Sequence, residues 1–438
     1  MTPIHNTAED NRSERAILIG LKGSNVRGSD DSLDELGLLV DTAGGTIVGT
    51  LMQRRESITP GAFLGKGKLE ELKALVEDTS ADVVVFDEDL SPGQVKNLEK
   101  TLQIKVVDRS EVILHIFALR ARSREARVQV ELAQLEYQLP RLTRLWKHLS
   151  RLGGGIGTRG PGETQLEVDR RRVRERIGTL KRQLAGVERE RCVQRKQRED
   201  VFRVAIVGYT NAGKSTLFKA LTGTDAFIED RLFATVDART RRLRSRRVPP
   251  IVVTDTVGFI RKLPHHLVTS FRATLEEVLQ ADLLIHVVDS SSPRAEEQLG
   301  IVESVLTEIG AGEKPAFVAL NKMDVAEPEV VQSLKGKFSS ATEISALKGQ
   351  NLDSLIGRIV DTSRAQKSLA SVEIPLAEEG LISYLRGSCE FVREKVVSDK
   401  IRILLWADQK EIGRLRRKGL TVLDRFPPAP APRCESNS

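Results

Sequence analysis

The sequence predicts an α/β protein with four parts: an N-terminal α/β domain, an antiparallel helical hairpin, a central α/β domain and a small C-terminal α/β domain. Three observations lead to this prediction. Short apolar runs alternate with segments of helical periodicity in the first third of the chain and again in its centre. One of these runs is separated from a helix by a glycine-rich turn that ends in Lys-Ser. Two heptad seams flank a second stretch that is rich in glycine.

Shifts in composition set the boundaries of these parts. The predicted segments are a disordered N-terminus (1–15), the N-terminal α/β domain (16–122), the basic hairpin (123–200), the central domain (201–365), the C-terminal α/β domain (372–424) and a disordered tail (425–438). The tail is rich in Pro and Ala, a composition that does not build a packed core.

Composition excludes several protein classes. The 438 residues carry a net charge of +7, and 40% of them are hydrophobic, as is usual for a soluble protein. No apolar run approaches the ~18 residues of a membrane span, and the polar start lacks a signal-peptide core. The three cysteines lie far apart, which favours a reducing compartment and no structural zinc. We therefore expect a cytoplasmic protein without a transmembrane segment, and a monomer.

The N-terminal domain carries two helix-start signals and one ambiguous loop. Ser32-Leu33-Asp34-Glu35 has the pattern of a capping box and predicts a helix that continues to Val40. Ser91 is predicted to cap a helix that ends at Leu102. The segment 65–68, Gly-Lys-Gly-Lys, is either a basic turn before a helix or a second phosphate loop, although it lacks the spacing and the hydroxyl of a P-loop.

A phosphate-binding loop is the strongest motif of the central domain. A buried strand over 204–207 is followed by G-x-x-x-x-G-K-S and then by a helix, so backbone N–H groups can surround phosphates at the helix N-terminus. Lys214 is expected to reach the β- and γ-phosphates, and the Ser215 hydroxyl to bind Mg²⁺. The residues of this predicted loop are Gly208, Tyr209, Thr210, Asn211, Ala212, Gly213, Lys214 and Ser215.

Two further motifs have the order and spacing of switch segments. The first contains Thr235, whose hydroxyl can close onto Mg²⁺, and the second follows a strand and contains Asp255 and Gly258. We predict metal ligation by Ser215, by Thr235 and, through water, by Asp255, and catalytic roles for Lys214, Thr235 and Gly258. The nucleotide-contacting residues of the two segments are predicted to be Phe233, Ala234, Thr235, Val236, Asp237, Asp255, Thr256, Val257 and Gly258.

A second pair of motifs is predicted to bind the base of the nucleotide. A carboxylate at Asp324 can accept hydrogen bonds from the ring N–H and the exocyclic amine of guanine, and adenine lacks that amine. The predicted base-binding residues are Asn321, Lys322, Met323, Asp324, Ser345, Ala346 and Leu347. Together the motifs predict a Ras-like P-loop G domain that binds GTP with Mg²⁺. The alternative is a P-loop ATPase or kinase with an accidental Asn-Lys-Met-Asp.

The hairpin is predicted from two heptad seams, over 128–149 and 173–187, with a kink at Pro140. Residues 141–200 contain 17 Lys or Arg against 8 Asp or Glu, a net charge of +9, so the rest of the chain carries −2. This excess indicates a polyanion-binding surface, or else a solvated helix face with intrahelical ion pairs such as Glu167 with Arg171. The residues predicted to contact RNA at the tip are Arg151, Gly153, Gly154, Gly155, Arg159 and Gly160.

These motifs together resemble the HflX family of translational GTPases. The resemblance lies in Gly-Lys-Leu-Glu-Glu-Leu at 67–72, in the glycine-rich loop at 153–164, and in Asp-Thr-Val-Gly-Phe-Ile at 255–260 followed by Leu-Pro at 263–264. It covers roughly residues 16–418 and is weak in the last domain. It implies an N-terminal HflX domain with a helical linker, and binding to the large ribosomal subunit in splitting or rescue of stalled ribosomes. Nucleotide use in the family extends to ATP.

Two positions refine the expected activity. Phe259 stands where Ras-like proteins carry the Gln that orients the attacking water, so hydrolysis is expected to be slow alone and stimulated by ribosomes. Asn211 either resembles the K⁺ ligand of potassium-activated GTPases or only stabilises its loop. Two other functions stay open: an RNA-binding or ribosome-binding scaffold with little turnover, and ATP-dependent RNA remodelling through the N-terminal domain.

Overall fold

The computed structural model describes residues 13–22, 29–54, 63–142, 165–196, 201–223, 232–235, 237–244, 251–262, 272–338, 340–365 and 367–424. They belong to two compact units. The first covers residues 1–191 together with the segments 229–237 and 262–273, and the second covers 192–228, 238–261 and 274–438. Within the described ranges, no helix has the length and the apolar character needed to cross a membrane.

The first unit contains a four-stranded parallel sheet in the order β2-β1-β3-β4. Its elements are β1 (Arg15–Lys22), α1 (Ser29–Ala43), β2 (Thr46–Arg54), α2 (Lys66–Thr79), β3 (Val83–Phe86), α3 (Pro92–Leu102), β4 (Lys105–Asp108) and α4 (Arg109–Arg120). Strand β3 is a continuous buried run, as expected for a strand that is covered by helices on both faces. The alternation of strands and helices read from the sequence is confirmed.

One of the two predicted helix starts is right and the other is wrong. Ser91 caps α3 in a complete capping box with Gln94. Helix α1, in contrast, begins at Ser29, so Ser32 lies inside it. The hydroxyl of Ser32 donates to the carboxylate of Asp87. A long-range partner therefore takes the side chain that the local pattern assigned to a cap.

The hairpin consists of α5 (Arg124–Gln138) and α6 (Gln165–Lys196). Their seam is confirmed within the described residues, because Leu132, Ile177 and Leu180 are buried together between the two helices. Residues 143–149 of the predicted first seam lie outside the described residues. Pro140 lies in a short 3₁₀ turn, Leu139–Arg141, and so ends the first helix, where the sequence predicted a kink within a longer one. The predicted tip at 151–160 lies outside the described residues.

Two of the basic side chains of α6 are paired across the hairpin. Arg176 forms a bidentate ion pair with Glu131 at 2.7 and 2.9 Å, and Lys181 pairs with Glu136 at 2.8 Å. These ion pairs link the two helices of the hairpin. The sequence predicts either a polyanion-binding surface or ion pairs within one helix, and it does not predict pairs between the helices.

The second unit contains the central sheet, in the order β10-β9-β8-β5-β7-β6, with only the edge strand β6 antiparallel among the described pairs. Its elements are β5 (Phe202–Gly208), α7 (Lys214–Thr222), β6 (Arg239–Arg242), β7 (Ile251–Asp255), α8 (Arg272–Leu279), β8 (Leu283–Asp289), α9 (Ala295–Glu308), β9 (Ala316–Asn321), α10 (Pro328–Lys337), β10 (Thr342–Glu343) and α11 (Leu352–Ala365). Strands β5, β7, β8 and β9 all end at the same edge of the sheet, where ligands bind in open α/β folds.

A four-stranded antiparallel sheet with two helices completes the second unit, in the strand order β12-β13-β11-β14. Its elements are β11 (Ser368–Pro375), α12 (Glu379–Ser388), β12 (Glu390–Val397), β13 (Lys400–Ala407), α13 (Gln409–Arg417) and β14 (Thr421–Asp424). The fold class predicted from the sequence is thus confirmed in all four parts.

Candidate nucleotide-binding site

Two glycines shape the loop between β5 and α7. Gly208 has φ +154°, and a Cβ there would lie 2.4 Å from the carbonyl oxygen of Val287. Gly213 has φ +92°, and a Cβ there would lie 2.2 Å from the side-chain nitrogen of Asn321. Any side chain at either position would clash, so glycine is required for the loop to turn into α7. The loop directs the N-terminus of α7 to the space where phosphates are expected.

Lys214 is buried at the first position of α7, and its Nζ donates to the carbonyl oxygen of Tyr209 at 2.6 Å. Burial lowers the pKa of this ammonium group to about 8, although the nearby Asp255 carboxylate opposes the change. The pKa of the buried His286 is lowered to about 4 by its burial and by the Lys214 charge. The site therefore holds a poorly solvated cation that a phosphate group would stabilise.

Oxygen ligands suitable for Mg²⁺ meet beside Lys214. The hydroxyl of Ser215 donates to Oδ2 of Asp255 at 2.8 Å, at the point where β7 ends and α7 begins. Hydroxyl and carboxylate oxygens are the protein ligands that Mg²⁺ prefers. These two residues fit the predicted ion, which would neutralise phosphate charge during hydrolysis.

The Asp-x-x-Gly segment is joined to the phosphate loop through its backbone. The N–H of Phe259 donates to the oxygen of Gly208 at 3.1 Å, and the N–H of Thr210 donates to the oxygen of Phe259 at 2.7 Å. Gly258 is close to the loop as well, since a Cβ there would lie 2.8 Å from Cα of Thr210 and 2.9 Å from Nζ of Lys214. The Phe259 side chain is 2% exposed, so it belongs to the core.

The base-reading motifs form a connected corner at the end of β9. The side-chain nitrogen of Asn321 donates to the oxygen of Ala212, and its oxygen accepts from the N–H of Ala346, both at 2.9 Å. Asn321 therefore ties the phosphate loop to the Ser-Ala-Leu loop. Oδ1 of Asp324 accepts from the Ser345 hydroxyl at 2.7 Å, and this hydrogen bond lowers the pKa of the carboxyl group. This hydrogen bond favours the ionised carboxylate, which is the form predicted to bind guanine.

Sequence reasoning missed two contributors to this corner, Asp289 and Lys348, and it missed His286 near Lys214. Asp289, at the end of β8, pairs with Lys322 at 2.7 Å. Lys348 lies 3.7 Å from Oδ2 of Asp324. His286 lies on β8 and is buried. Only Asp289 had a usable signal, since it is an acidic residue at the carboxyl end of a buried strand.

The first switch segment lies in the first unit. Phe233, with φ +53°, packs edge-on against Phe117 of α4, and the ring centroids are 4.7 Å apart. The carboxylate of Asp237 accepts hydrogen bonds from Ser123 and from the N–H of Arg122. Thr235, between them, is 8% exposed, and Val236 lies outside the described residues. A direct nucleotide contact by these residues stays a prediction.

Three family models match the chain in succession. They are described as GTP-binding GTPase N-terminal, over residues 30–118; GTP-binding GTPase Middle Region, over 120–198; and 50S ribosome-binding GTPase, over 203–322. The last match begins at the second residue of β5 and ends just beyond β9, so it spans the phosphate loop, both switch segments and the start of the base-reading motif.

Related proteins of known sequence match most of the chain. The chain is 47% identical over 383 residues to GTPase HflX of Caldanaerobacter subterraneus subsp. tengcongensis, which covers 87% of this chain and 88% of that protein. It is 42% identical over 375 residues to GTPase HflX of Escherichia coli K12, and the match covers 84% of this chain and 88% of that protein. Among solved structures, a GTP-binding protein from the hyperthermophilic archaeon Sulfolobus solfataricus, in complex with GDP, is 28% identical, covers 80% of this chain and 98% of that chain, and has a TM-score of 0.42.

Proposed function

The chain belongs to the HflX family of GTPases, and on that premise we propose that it is a Mg²⁺-dependent enzyme whose nucleotide state controls binding to the large ribosomal subunit. Its role is then in splitting or rescue of ribosomes, in a stress response or in ribosome biogenesis. We place it in the cytoplasm, as a monomer. The hypothesis combines two parts, nucleotide recognition and ribosome recognition, which rest on different observations.

Nucleotide recognition rests on the corner around Asp324. The carboxylate is oriented by Ser345, and Asn321 fixes this corner to the phosphate loop through two hydrogen bonds of 2.9 Å. An ionised carboxylate in a fixed position selects guanine over adenine, because adenine would leave it unpaired. This arrangement carries the proposal of GTP as the substrate.

Hydrolysis is assigned to the residues around the phosphates. Lys214 would contact the β- and γ-phosphates, Gly258 would offer its N–H to the γ-phosphate, and Ser215, Thr235 and, through water, Asp255 would hold Mg²⁺, which would neutralise phosphate charge. Phe259, with its ring in the core, offers no group that could orient water, so turnover is slow in the free protein and stimulated by ribosomes. Asn211 would hold a K⁺ ion if turnover proves to depend on potassium.

Ribosome recognition is supported by the family model that spans the G domain and by the net charge of +9 over residues 141–200. In the sequence, residues 143–164 connect the two helices that pack as the hairpin. We assign RNA contacts to this connection, where Arg151 and Arg159 offer guanidinium groups suited to phosphates and bases.

Sedimentation with large ribosomal subunits tests the proposal. The protein should pellet with subunits in a non-hydrolysable GTP analogue and stay in the supernatant in GDP. Shortening residues 153–162 should reduce pelleting without weakening GTP binding. The double variant Lys73→Ala, Lys100→Ala, which alters two exposed side chains elsewhere, should pellet like the parent. Equal pelleting in both nucleotides would contradict control by nucleotide state.

A second candidate function, a ribosome-bound scaffold with little turnover, is favoured by the burial of Phe259. The two functions differ in one measurement. If purified large subunits leave the rate of GTP hydrolysis at that of the free protein while binding still depends on nucleotide, the scaffold is the better description.

A further inference from the structure

We propose that Phe117 and Ser123 are positioning residues for GTP hydrolysis, which set the place of Thr235 through Phe233 and Asp237. Neither belongs to a nucleotide-binding motif. Phe117 lies on α4 and Ser123 precedes α5, so both are part of the corner between these two helices. The inference rests on the proposed role of Thr235 as a Mg²⁺ ligand and adds the residues that hold it.

The first anchor is a carboxylate bound by a helix start. Oδ2 of Asp237 accepts from the N–H groups of Arg122 and Ser123, each at 3.0 Å, and Oδ1 accepts from the Ser123 hydroxyl at 2.5 Å. The same hydroxyl accepts from the N–H of Ala126 and so caps α5. A negative charge at a helix N-terminus is also favoured by the helix dipole. Ser123 therefore joins the switch segment to the first helix of the hairpin.

The second anchor is an aromatic pair. The rings of Phe117 and Phe233 meet edge to face at 82°, with centroids 4.7 Å apart, and each side chain is at most 2% exposed. Phe233 adopts φ +53°, a left-handed conformation that is unfavourable for a bulky side chain. Such a conformation persists only where the surroundings enforce it, and the buried ring contact with Phe117 is part of those surroundings.

The two anchored residues, Phe233 and Asp237, lie on either side of Thr235 in the sequence. Thr235 is two residues from Phe233 and two residues from Asp237. Two residues span at most about 7 Å, even when the chain is fully extended. The hydroxyl therefore stays near the α4–α5 corner as long as both anchors hold, and any movement of α5 changes where Thr235 can reach.

Two capping serines allow a matched test. Ser123→Ala removes the cap of α5 and a hydrogen bond to Asp237, whereas Ser91→Ala removes the cap of α3 and leaves the switch segment alone. Both should lower the melting temperature. Only Ser123→Ala should lower kcat for GTP, by about tenfold if the charged hydrogen bond is lost, and raise the Mg²⁺ concentration needed for half-maximal turnover. KM for GTP should stay within about twofold, since the phosphate loop and the base site are unchanged.

Rescue and a second variant complete the test. Ser123→Thr keeps both the hydroxyl and the cap, and should restore the kcat and the Mg²⁺ dependence of the parent. Phe117→Leu should reproduce the change in Mg²⁺ dependence through the other anchor, and it decides the matter if Ser123→Ala does not fold. If Ser123→Ala and Phe117→Leu match Ser91→Ala in kcat and Mg²⁺ dependence, the two residues only support the fold. Faster GTP turnover in Ser123→Ala or Phe117→Leu would mean that the two residues inhibit hydrolysis, and this would overturn the proposal.

The variant Thr235→Ala separates this inference from the function on which it rests. If Thr235→Ala leaves the Mg²⁺ dependence unchanged, the proposed metal ligand is wrong. If Thr235→Ala raises the Mg²⁺ requirement and Ser123→Ala does not, the metal ligand is right and the positioning role is wrong.

Discussion

The two parallel sheets of this chain both place polar side chains where their strands end, but they treat them differently. In the first sheet, Asp87 follows β3 and Asp108 ends β4; in the second, Asp255 ends β7 and Asn321 ends β9. The carboxyl ends of parallel strands are the usual position for a ligand site. In the second sheet the buried cation at this edge is Lys214, which donates to a main-chain oxygen, whereas in the first sheet it is Arg109, which pairs with carboxylates.

Protein side chains occupy the edge of the first sheet. The buried Arg109 pairs with Glu35 at 2.5 Å and with Asp87 at 2.8 Å. Asp87 also accepts from Lys262 at 2.5 Å. Asp108 accepts from Tyr137 at 2.7 Å and from Arg141 at 3.0 Å. Each of these carboxylates is matched by a positively charged or hydroxyl donor of the protein.

Glycines shape the edge of the second sheet. Gly208 and Gly213 leave no room for a side chain, and Gly258 lies close to Lys214. The buried ammonium of Lys214 donates to a main-chain oxygen, a contact that a phosphate can replace. The two sheets therefore have the same kind of fold but different roles: the first holds a network of ion pairs and the second holds the predicted nucleotide site. The loops at the ends of the strands determine this difference.

The largest predicted effect comes from replacing one lysine in each of the two units. Lys214→Ala should abolish GTP turnover, a loss of about a thousandfold or more, because the phosphates lose their only buried ammonium among the described residues of the loop. Lys68→Ala, in the segment that resembles a second phosphate loop, should leave GTP and ATP turnover unchanged. Lys68 pairs with Glu71 on α2 instead. A loss of ATP turnover in Lys68→Ala would show that the first sheet also holds a nucleotide.

The ion pairs of the first sheet give the next largest effect. Arg109→Met should lower the free energy of unfolding by about 3–5 kcal/mol, because Glu35 and Asp87 would keep buried charges without their partner. Urea unfolding measures the change, and GTP affinity measured by titration should stay as in the parent. An unfolding free energy like that of the parent would mean that the network is not structural.

The pH dependence of GTP binding tests the role of Lys214 at the second sheet. In the free protein the pKa of Lys214 is lowered to about 8, and phosphates should raise it again. The complex then binds more protons than the free protein above pH 8, so GTP affinity should fall about tenfold between pH 7 and pH 9. Guanosine monophosphate lacks the two phosphates that Lys214 contacts, and its affinity should change less. Equal pH profiles for the two ligands would argue against this cause.

Potassium gives the smallest predicted effect. If Asn211 holds a cation, turnover should be several-fold faster in KCl than in NaCl, and Asn211→Ala should remove the difference. Its φ of +60° places Asn211 in a conformation that Asn tolerates better than most residues. Glycine at this position is the control for the backbone: Asn211→Gly should also lose the preference for potassium. Equal rates of the parent in both salts would leave Asn211 a loop-forming residue only.

Local patterns predicted the architecture well, because periodicity and caps act over a few residues. The capping box at Ser91 and the hairpin seam around Leu132 are examples, and the phosphate loop lies between a strand and a helix as expected. The contacts that the sequence did not predict join residues that are far apart in the chain. Ser32 binds Asp87, 55 residues away, and Ser123 binds Asp237, 114 residues away. No local rule foresees such a pair before the sheet topology is known.

Guanine recognition is the claim on which the assignment of the second sheet depends, and exchanging the base tests it most directly. Asp324→Asn replaces the acceptor of the guanine amine with an amide donor, which suits xanthine, whose carbonyl stands in place of that amine. Turnover of GTP by this variant should fall about a hundredfold, and turnover of xanthosine triphosphate should exceed it. GTP turnover equal to that of the parent, or no gain with xanthosine triphosphate, would contradict the assignment of this site to guanine.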